Sequence, residues 1–382
     1  MEIRNGRDFG VVADGVLDRR HRARPPPPDL PQHVVQASAG DGEQLGRELC
    51  PAAWEGYSAA MVNPTGEQFE LIRGNARAVV TEIGAGLRAF EIGGVPYLET
   101  FAAEDEPPKG AGQVLVPWPN RTKAARWTFD GEPQELEVTE AKRGNAIHGL
   151  TRHKEWELLE HAECSITLAC DIADEPGWPV PLRTGIVYEL APRELTVTHE
   201  VSNEGDRAIG FGVGTHPYFR IGDVPTDELT LTLPATRVRP YAEEEQLPYA
   251  EERDVEGTEY DLRSGRVVGE LDLDTAFGGL TADEEGRHHV LLTHGTTTLD
   301  VWTEADFRWV QVFTPTDLTG RGRAIAIEPM TCPADALNSG TDLIILEPGE
   351  KWQGSWGIQV RDNQVQRGEA PRWGRWPGDG RG

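Results

Sequence analysis

Cysteine is scarce in this chain, basic side chains are outnumbered, and no long apolar run interrupts it. The four cysteines, Cys50, Cys164, Cys170 and Cys332, show neither C-x-x-C spacing nor the density of a disulfide scaffold. On one extended strand through "ECSITLACD", Cys164 and Cys170 would stand roughly 20 Å apart, too far to bridge. Reduced thiols suit a reducing compartment. With 37 Lys and Arg against 64 Asp and Glu, the net charge of −27 repels phosphate backbones and anionic lipid surfaces, so nucleic-acid and membrane-surface roles are not expected. No stretch approaches the roughly 20 apolar residues of a membrane-spanning helix, and no apolar segment follows the early arginines as a secretory signal would. These absences predict a soluble, cytoplasmic protein.

Helical periodicity is missing as well. What is there has a period of two. In "RELTVTHEVSN", Leu195, Val197, His199 and Val201 share one face while Thr196, Thr198 and Glu200 share the other, as in a half-buried strand. Similar runs recur at "TGIVYEL", "HHVLLTHG", "TTLDVWTE", "RWVQVFTP", "RAIAIEP", "DLIILEP" and "KWQGSWGIQV". About twenty strands at spacings of 8 to 12 residues predict one all-β domain, a large antiparallel sandwich or barrel. Residues 1–60, with "RARPPPPDLPQ", and residues 363–382 have no sustained period and read as a disordered extension and a flexible tail around a domain at 61–362. The abrupt change at Met61 raises the expectation that the native product starts there.

Phosphate-cradling and serine-hydrolase signatures are absent, since neither a P-loop, a strand-turn-helix G-x-G-x-x-G nor a G-x-S-x-G occurs. Of the ten histidines, His21 and His33 fall in the extension, His199 on an apolar strand face, and His288, His289 and His294 on an expected surface hairpin. Those six read as structural or solvated. His148 in "NAIHGL" sits where a strand gives way to a glycine turn, either polar surface or a binding group on a scaffolded loop. His216 in "GTHPYFRIGD" is held extended by Pro217, with Tyr218 and Phe219 able to wall a ring-shaped ligand; the alternative is a core-edge histidine bonded to a carbonyl. Glu328 closes the apolar run "AIAIE", where burial would raise its pKa toward proton abstraction, or it is a strand-end acid paired with an arginine. Arg121 in "PWPNRTKAARW" and Asp274 in "ELDLDTAF" can hold a ligand or pair on the surface. No H-x-H or H-E-x-x-H marks a metal site, and His148 and His153 across a glycine turn are poorly placed to share an ion.

In order along the chain, "PWPNRTKAARW", "NAIHGL", "GTHPYFRIGD", "LDTAFGGL" and "IAIEPMTCPADALNSGTDLIILEPGE" resemble the aldose 1-epimerases, the galactose mutarotase family, over roughly residues 65–362. The resemblance implies a large twisted antiparallel β-sandwich with a sugar cleft, acting on a hexose such as glucose or galactose, as monomer or homodimer, with neither metal nor organic cofactor. It implies that Glu328 is the general base at the C1 hydroxyl, that His216 is the general acid at the ring oxygen, and that His148 stabilises charge there. Arg121 and Asp274, with Asn120, Trp118 and Tyr218 beside them, would hold the sugar. The flanks depart from galactose-type members: "THPYFRI" and "EPM" stand where those read close to N-H-x-Y-F-N-L and E-T-Q, which implies a divergent branch. "VLVPWPNR" replaces the "GGIP" of the phosphate-sugar epimerases and points away from a hexose 6-phosphate, with Arg152 and Arg220 keeping that substrate open. A sugar-binding sandwich without activity and a glycoside hydrolase or lyase on a related scaffold are the competing readings; the hydrolase needs a second carboxylate about 5 to 9 Å from Glu328, a place Asp274 could fill.

Overall fold

The computed structural model describes residues 63–242 and 244–362. The expected extension, the start at Met61 and the tail therefore lie outside the described residues. Within them, 27 strands stand against one four-residue α-helix at Ala336–Ser339 and four three-residue 3-10 turns, which places the chain in the all-β class. The excess over the expected twenty comes from two-residue ladders such as Val114–Leu115 and Tyr218–Phe219, too short to leave a periodic signal in sequence.

Two large antiparallel sheets carry the architecture. The nine-stranded sheet runs Glu157–His161, Ser165–Ile172, Leu182–Ala191, Glu194–Asn203, Lys351–Asp362, Thr297–Thr303, His288–His294, Thr230–Thr232, Arg266–Val267. Its centre is built as the alternation predicts: Leu195, Val197, His199 and Val201 all face inward and are fully buried. Burial of each aliphatic side chain there contributes about 1.5–3 kcal/mol. His199 is tolerated among them because the Trp356 indole N–H donates to its Nε2 at 3.2 Å. The predicted hairpin of His288–His294 with Thr297–Thr303 is present, but His288 is buried against Thr303 rather than solvated. Cys164, Cys170 and Cys332 are free thiols.

The eight-stranded sheet runs Arg253–Asp254, Ala235–Arg239, Asp274–Leu280, Trp309–Phe313, Ile325–Met330, Gly214–Thr215, Val114–Leu115, with Tyr218–Phe219 also paired to Ile325–Met330. One contiguous apolar core contains Val197, Val301 and Ile358 of the first sheet and Phe277, Val310, Val312, Ile325 and Ile327 of the second, so it lies between them. Because strand side chains alternate, the residues between those core positions point to the opposite face of the second sheet. That face carries Asp274, Gln311 and Glu328.

Candidate active site

Cross-strand register assembles half of the site. Gln311 is directly opposite Glu328, and Ala276, two residues on from Asp274, is directly opposite Gln311. Three polar side chains thus stand on adjacent strands of one face. The Gln311 amide donates to Asp274 Oδ1 at 2.6 Å and its carbonyl accepts the Tyr241 hydroxyl at 3.3 Å, which fixes both the amide and the carboxylate. Glu328 lies within its strand rather than at the end, since the ladder continues through Pro329 to Met330. Among the described residues it has no arginine as an ion-pair partner. Its Oε1 is instead 3.6 Å from His216 Nε2, and its Oε2 is buried without a hydrogen bond. His216 follows Gly214–Thr215 and is pinned through its backbone N–H to the Gln113 carbonyl and through its own carbonyl to the Gly112 N–H.

A small ribbon supplies the other half. Arg121–Thr122 pairs with Ala146–Ile147, and the chain turns at His148, whose φ of 64° is left-handed, and at Gly149 with φ 70°. A Cβ on Gly149 would sit 2.2 Å from the Val116 carbonyl oxygen, so only glycine lets the loop pass. The Asn120 N–H donates to His148 Nδ1 at 3.3 Å; that nitrogen is therefore the acceptor, and the ring proton sits on Nε2, free to donate. Arg121 is held by Glu140, its Nε 3.0 Å from Oε2 and its Nη2 3.1 Å from Oε1, while Arg143 and Asn145 also bond Glu140.

The two halves enclose a cavity of about 480 Å³. Asn120, Arg121, His148, His216, Asp274 and Glu328 all line it, as do Phe313, Glu140 and Arg152. The His148 and His216 rings meet edge to face, centroids 5.4 Å apart. Burial raises the Glu328 carboxyl well above the usual range, with Asp274 adding to the effect and Arg121 opposing it. Burial lowers His216 to about 4. His148 is pushed well below an ordinary histidine by burial first and then by His216, Arg152 and Arg121. Asp274 is raised, again chiefly by burial, against the pull of Arg121 and Gln311. The floor therefore holds a carboxyl that keeps its proton above the ordinary range and an imidazole that is neutral, within reach of each other and with fixed hydrogen-bonding groups around them. Among the described residues no three His, Cys, Asp or Glu side chains converge as metal ligands.

Six of the eight residues expected from sequence meet in this cavity; Tyr218 and Trp118 do not line it. Tyr218 stacks on the His216 ring at 5.0 Å and is otherwise buried with Ala111, Leu318, Ala324 and Ala326, so it walls the histidine rather than a ligand. Phe219 is likewise fully buried, in the inter-sheet core. Trp118 packs on Trp178 in that core and anchors the segment leading to Asn120. Phe313 is the aromatic that does reach the cavity. Glu140 and Gln311 were not anticipated: each is an ordinary polar residue in sequence, and only pairing to Arg121 and Asp274 in space gives it a role. Arg152 lines the cavity, whereas Arg220 is bound to Glu99 and Asp223 away from it.

Comparison with known proteins agrees with this geometry. The family model described as aldose 1-epimerase matches residues 67–359. The uncharacterised protein YihR of Escherichia coli K12 is 31% identical over 287 residues, 75% of this chain and 91% of that protein. In fold, the chain is similar to the GalM/aldose epimerase homologue of C. elegans, with TM-score 0.69 and 17% identity, covering 78% of this chain and 99% of that one. It is also similar to the galactose 1-epimerase of Lactobacillus acidophilus NCFM, with TM-score 0.65 and 21% identity, covering 77% and 93%. With the β-sandwich, the paired histidine and glutamate, and a family match spanning nearly all of the sheet region, the chain belongs to the aldose 1-epimerase family.

Proposed function

We propose that this protein is a mutarotase, interconverting the α and β anomers of a free aldose by ring opening and reclosure. The observation that carries the reading is the 3.6 Å approach of His216 Nε2 to Glu328 Oε1 at the floor of the cavity. Anomerisation removes a proton from one oxygen and adds one to another, and in a cyclic hemiacetal both oxygens are bonded to the same carbon. A base and an acid must then sit side by side, as these two do. Glu328 takes the proton of the C1 hydroxyl while His216 gives one to the ring oxygen, and the bond from C1 to the ring oxygen breaks. The open aldehyde turns about its C1–C2 bond. The protonated Glu328 then returns a proton to the aldehyde oxygen as His216 removes one from the attacking hydroxyl, which closes the other anomer.

The two groups share one proton throughout, and the folded environment, which raises Glu328 and lowers His216, favours the arrangement reached after ring opening. The return leg therefore starts with both groups correctly loaded. His148 presents Nε2–H toward the ring oxygen, and Arg121, Asn120 and Asp274 hold hydroxyls. General acid and base terms of this kind each contribute on the order of 10²–10⁴ in rate. Proton NMR of freshly dissolved α-glucose and α-galactose tests the reading. Faster equilibration with the native chain and loss of it in Glu328→Gln is the expected result; unaccelerated exchange by a folded native chain rejects the activity.

A further inference from the structure

Gln113 lines the cavity and is only 4% exposed, yet half of its side-chain amide is unused. Its Nε2 donates to the Arg152 carbonyl at 3.0 Å; a carbonyl can only accept, so the orientation of the amide is fixed and Oε1 points the other way. Among the described residues Oε1 accepts no hydrogen bond, and it is not sealed off as the orphaned buried atoms of Trp118, Thr215 and Tyr218 are. In a residue this buried, the opening is the cavity that it lines. Its main chain is fixed as firmly as its amide: the Gln113 N–H donates to the Gly110 carbonyl and the Gln113 carbonyl accepts the His216 N–H, both at 3.1 Å.

Gly110 shows where that acceptor lies. A Cβ on Gly110 would touch Gln113 Oε1 at 3.4 Å and His216 Cδ2 at 3.7 Å, so both atoms border one recess of the cavity, which a glycine at φ 77° keeps clear of side chain. Cδ2 is bonded to Nε2, the atom that faces Glu328. The acceptor therefore stands beside the reacting pair. A carbonyl oxygen takes a donor and turns away a lone pair, so it distinguishes a hydroxyl from an ether, a fluorine or an anion. On the mutarotase reading, on which this inference rests, Glu328 serves the C1 hydroxyl, and the ring oxygen has no proton to give. We propose that Gln113 Oε1 accepts the proton of one non-anomeric hydroxyl of the sugar and so selects for that hydroxyl. An analogue without it displaces water from the acceptor and gives nothing back. One residue then ties acid to substrate: its main chain holds His216, and its side chain holds the ring that His216 must protonate.

The test is a cycle of substrate against residue, followed by anomeric NMR. Glucose is compared with its 2-, 3-, 4- and 6-deoxy and deoxyfluoro analogues in the native chain, in Gln113→Met, which keeps the reach of the side chain without the acceptor, and in Gln113→Glu, which keeps the acceptor and charges it. Fluorine has nearly the size of a hydroxyl but cannot donate. At the position that Gln113 serves, both analogues are expected to fall below glucose in kcat/KM by about 10- to 100-fold, the cost of leaving a desolvated acceptor unpaired. At that position alone, Gln113→Met should bring the ratio close to one and Gln113→Glu should deepen it, while inherent differences in reactivity cancel in the cycle. Ratios unchanged by either variant at every position overturn the role of Gln113 and leave the mutarotase reading in place. A Gln113-dependent position at which fluorine restores the rate does the same. If no sugar is accelerated, the same cycle is read by calorimetric binding: a Gln113-dependent loss there upholds Gln113 while the mutarotase reading falls, and binding of none of the sugars overturns both.

Discussion

His216 Nε2 lies 3.6 Å from Glu328 Oε1, and the two groups reach that point from different strands, one just after Gly214–Thr215 and the other within Ile325–Met330. With His216 lowered and Glu328 raised by burial, the active form of the pair carries one proton. A second proton goes on only near pH 4, and the last comes off well above the ordinary carboxylate range. The expected pH profile of kcat/KM is a bell whose acid limb lies near 4 and whose alkaline limb belongs to the Glu328 side of the pair. An acid limb near 6.5 would mean that His216 is not desolvated in solution.

Gln311 acts by holding Asp274. Gln311→Leu leaves the Asp274 carboxylate without the donor at 2.6 Å and the Tyr241 hydroxyl without its acceptor. The expected cost is about 1–3 kcal/mol of stability in urea unfolding, with a rise in KM larger than the fall in kcat. The carboxyl of Asp274 should titrate higher still, since the Gln311 bond is one of the forces holding it down.

Gly149→Ala should do more damage than its single methyl suggests. The residue needs φ of 70°, and the new Cβ would meet the Val116 carbonyl at 2.2 Å. Backbone strain at such positions costs on the order of 1–3 kcal/mol. Because His148 is the preceding residue, activity should fall even in the fraction that folds, as chemical denaturation and anomer exchange measured together would show.

Two histidines outside the cavity give stability terms of opposite sign with pH. His199 is fully buried and lowered to about 3, so its folded pKa lies below the unfolded value near 6.5. Stability from it is complete above pH 6.5 and is lost as pH falls toward 3. His199→Leu leaves Trp356 without an acceptor and lowers stability at neutral pH, but flattens this slope, which unfolding midpoints at pH 7 and pH 4 would reveal.

His289 behaves in the other sense. It bonds Asp283 at 2.9 Å and Asp300 at 3.0 Å, and these carboxylates outweigh the desolvation that would lower it, so its pKa is raised. Its stabilisation is present below the unfolded value near 6.5 and fades as pH rises through the folded one. His289→Leu should lose more stability at pH 5.5 than at pH 8.5. A loss independent of pH would indicate that packing, not charge, is its contribution.

Much of this was legible in the amino-acid order, for physical reasons that differ by residue. The strand Glu194–Asn203 was readable because one of its faces is buried and the other is not, so alternation survives. Ile325–Met330 was harder, since it is buried on both faces and its period is hidden; its end was misplaced at Glu328 because a proline follows. His148, His216, Glu328, Arg121, Asn120 and Asp274 were visible through their motifs. The ring expected from Tyr218 stacks on His216 instead of a ligand because it is buried against Ala111, Leu318, Ala324 and Ala326, neighbours that lie far from it in sequence. The roles of Glu140 and Gln311 are facts of pairing across 19 and 37 residues, and no window of sequence contains them.

The cavity is lined by parts of two kinds. Asp274 and Glu328 project from the sheet, where sliding a strand by one residue would exchange cavity side chains for core side chains, and so these positions tolerate no insertion. Glu106, Pro107, Lys109, Gly110 and Thr139 belong to connecting segments, whose length and composition the sheets constrain less. On the mutarotase reading, proton chemistry and sugar choice can therefore drift apart: a lineage could rewrite its connecting segments and change diet while inheriting its reaction unaltered.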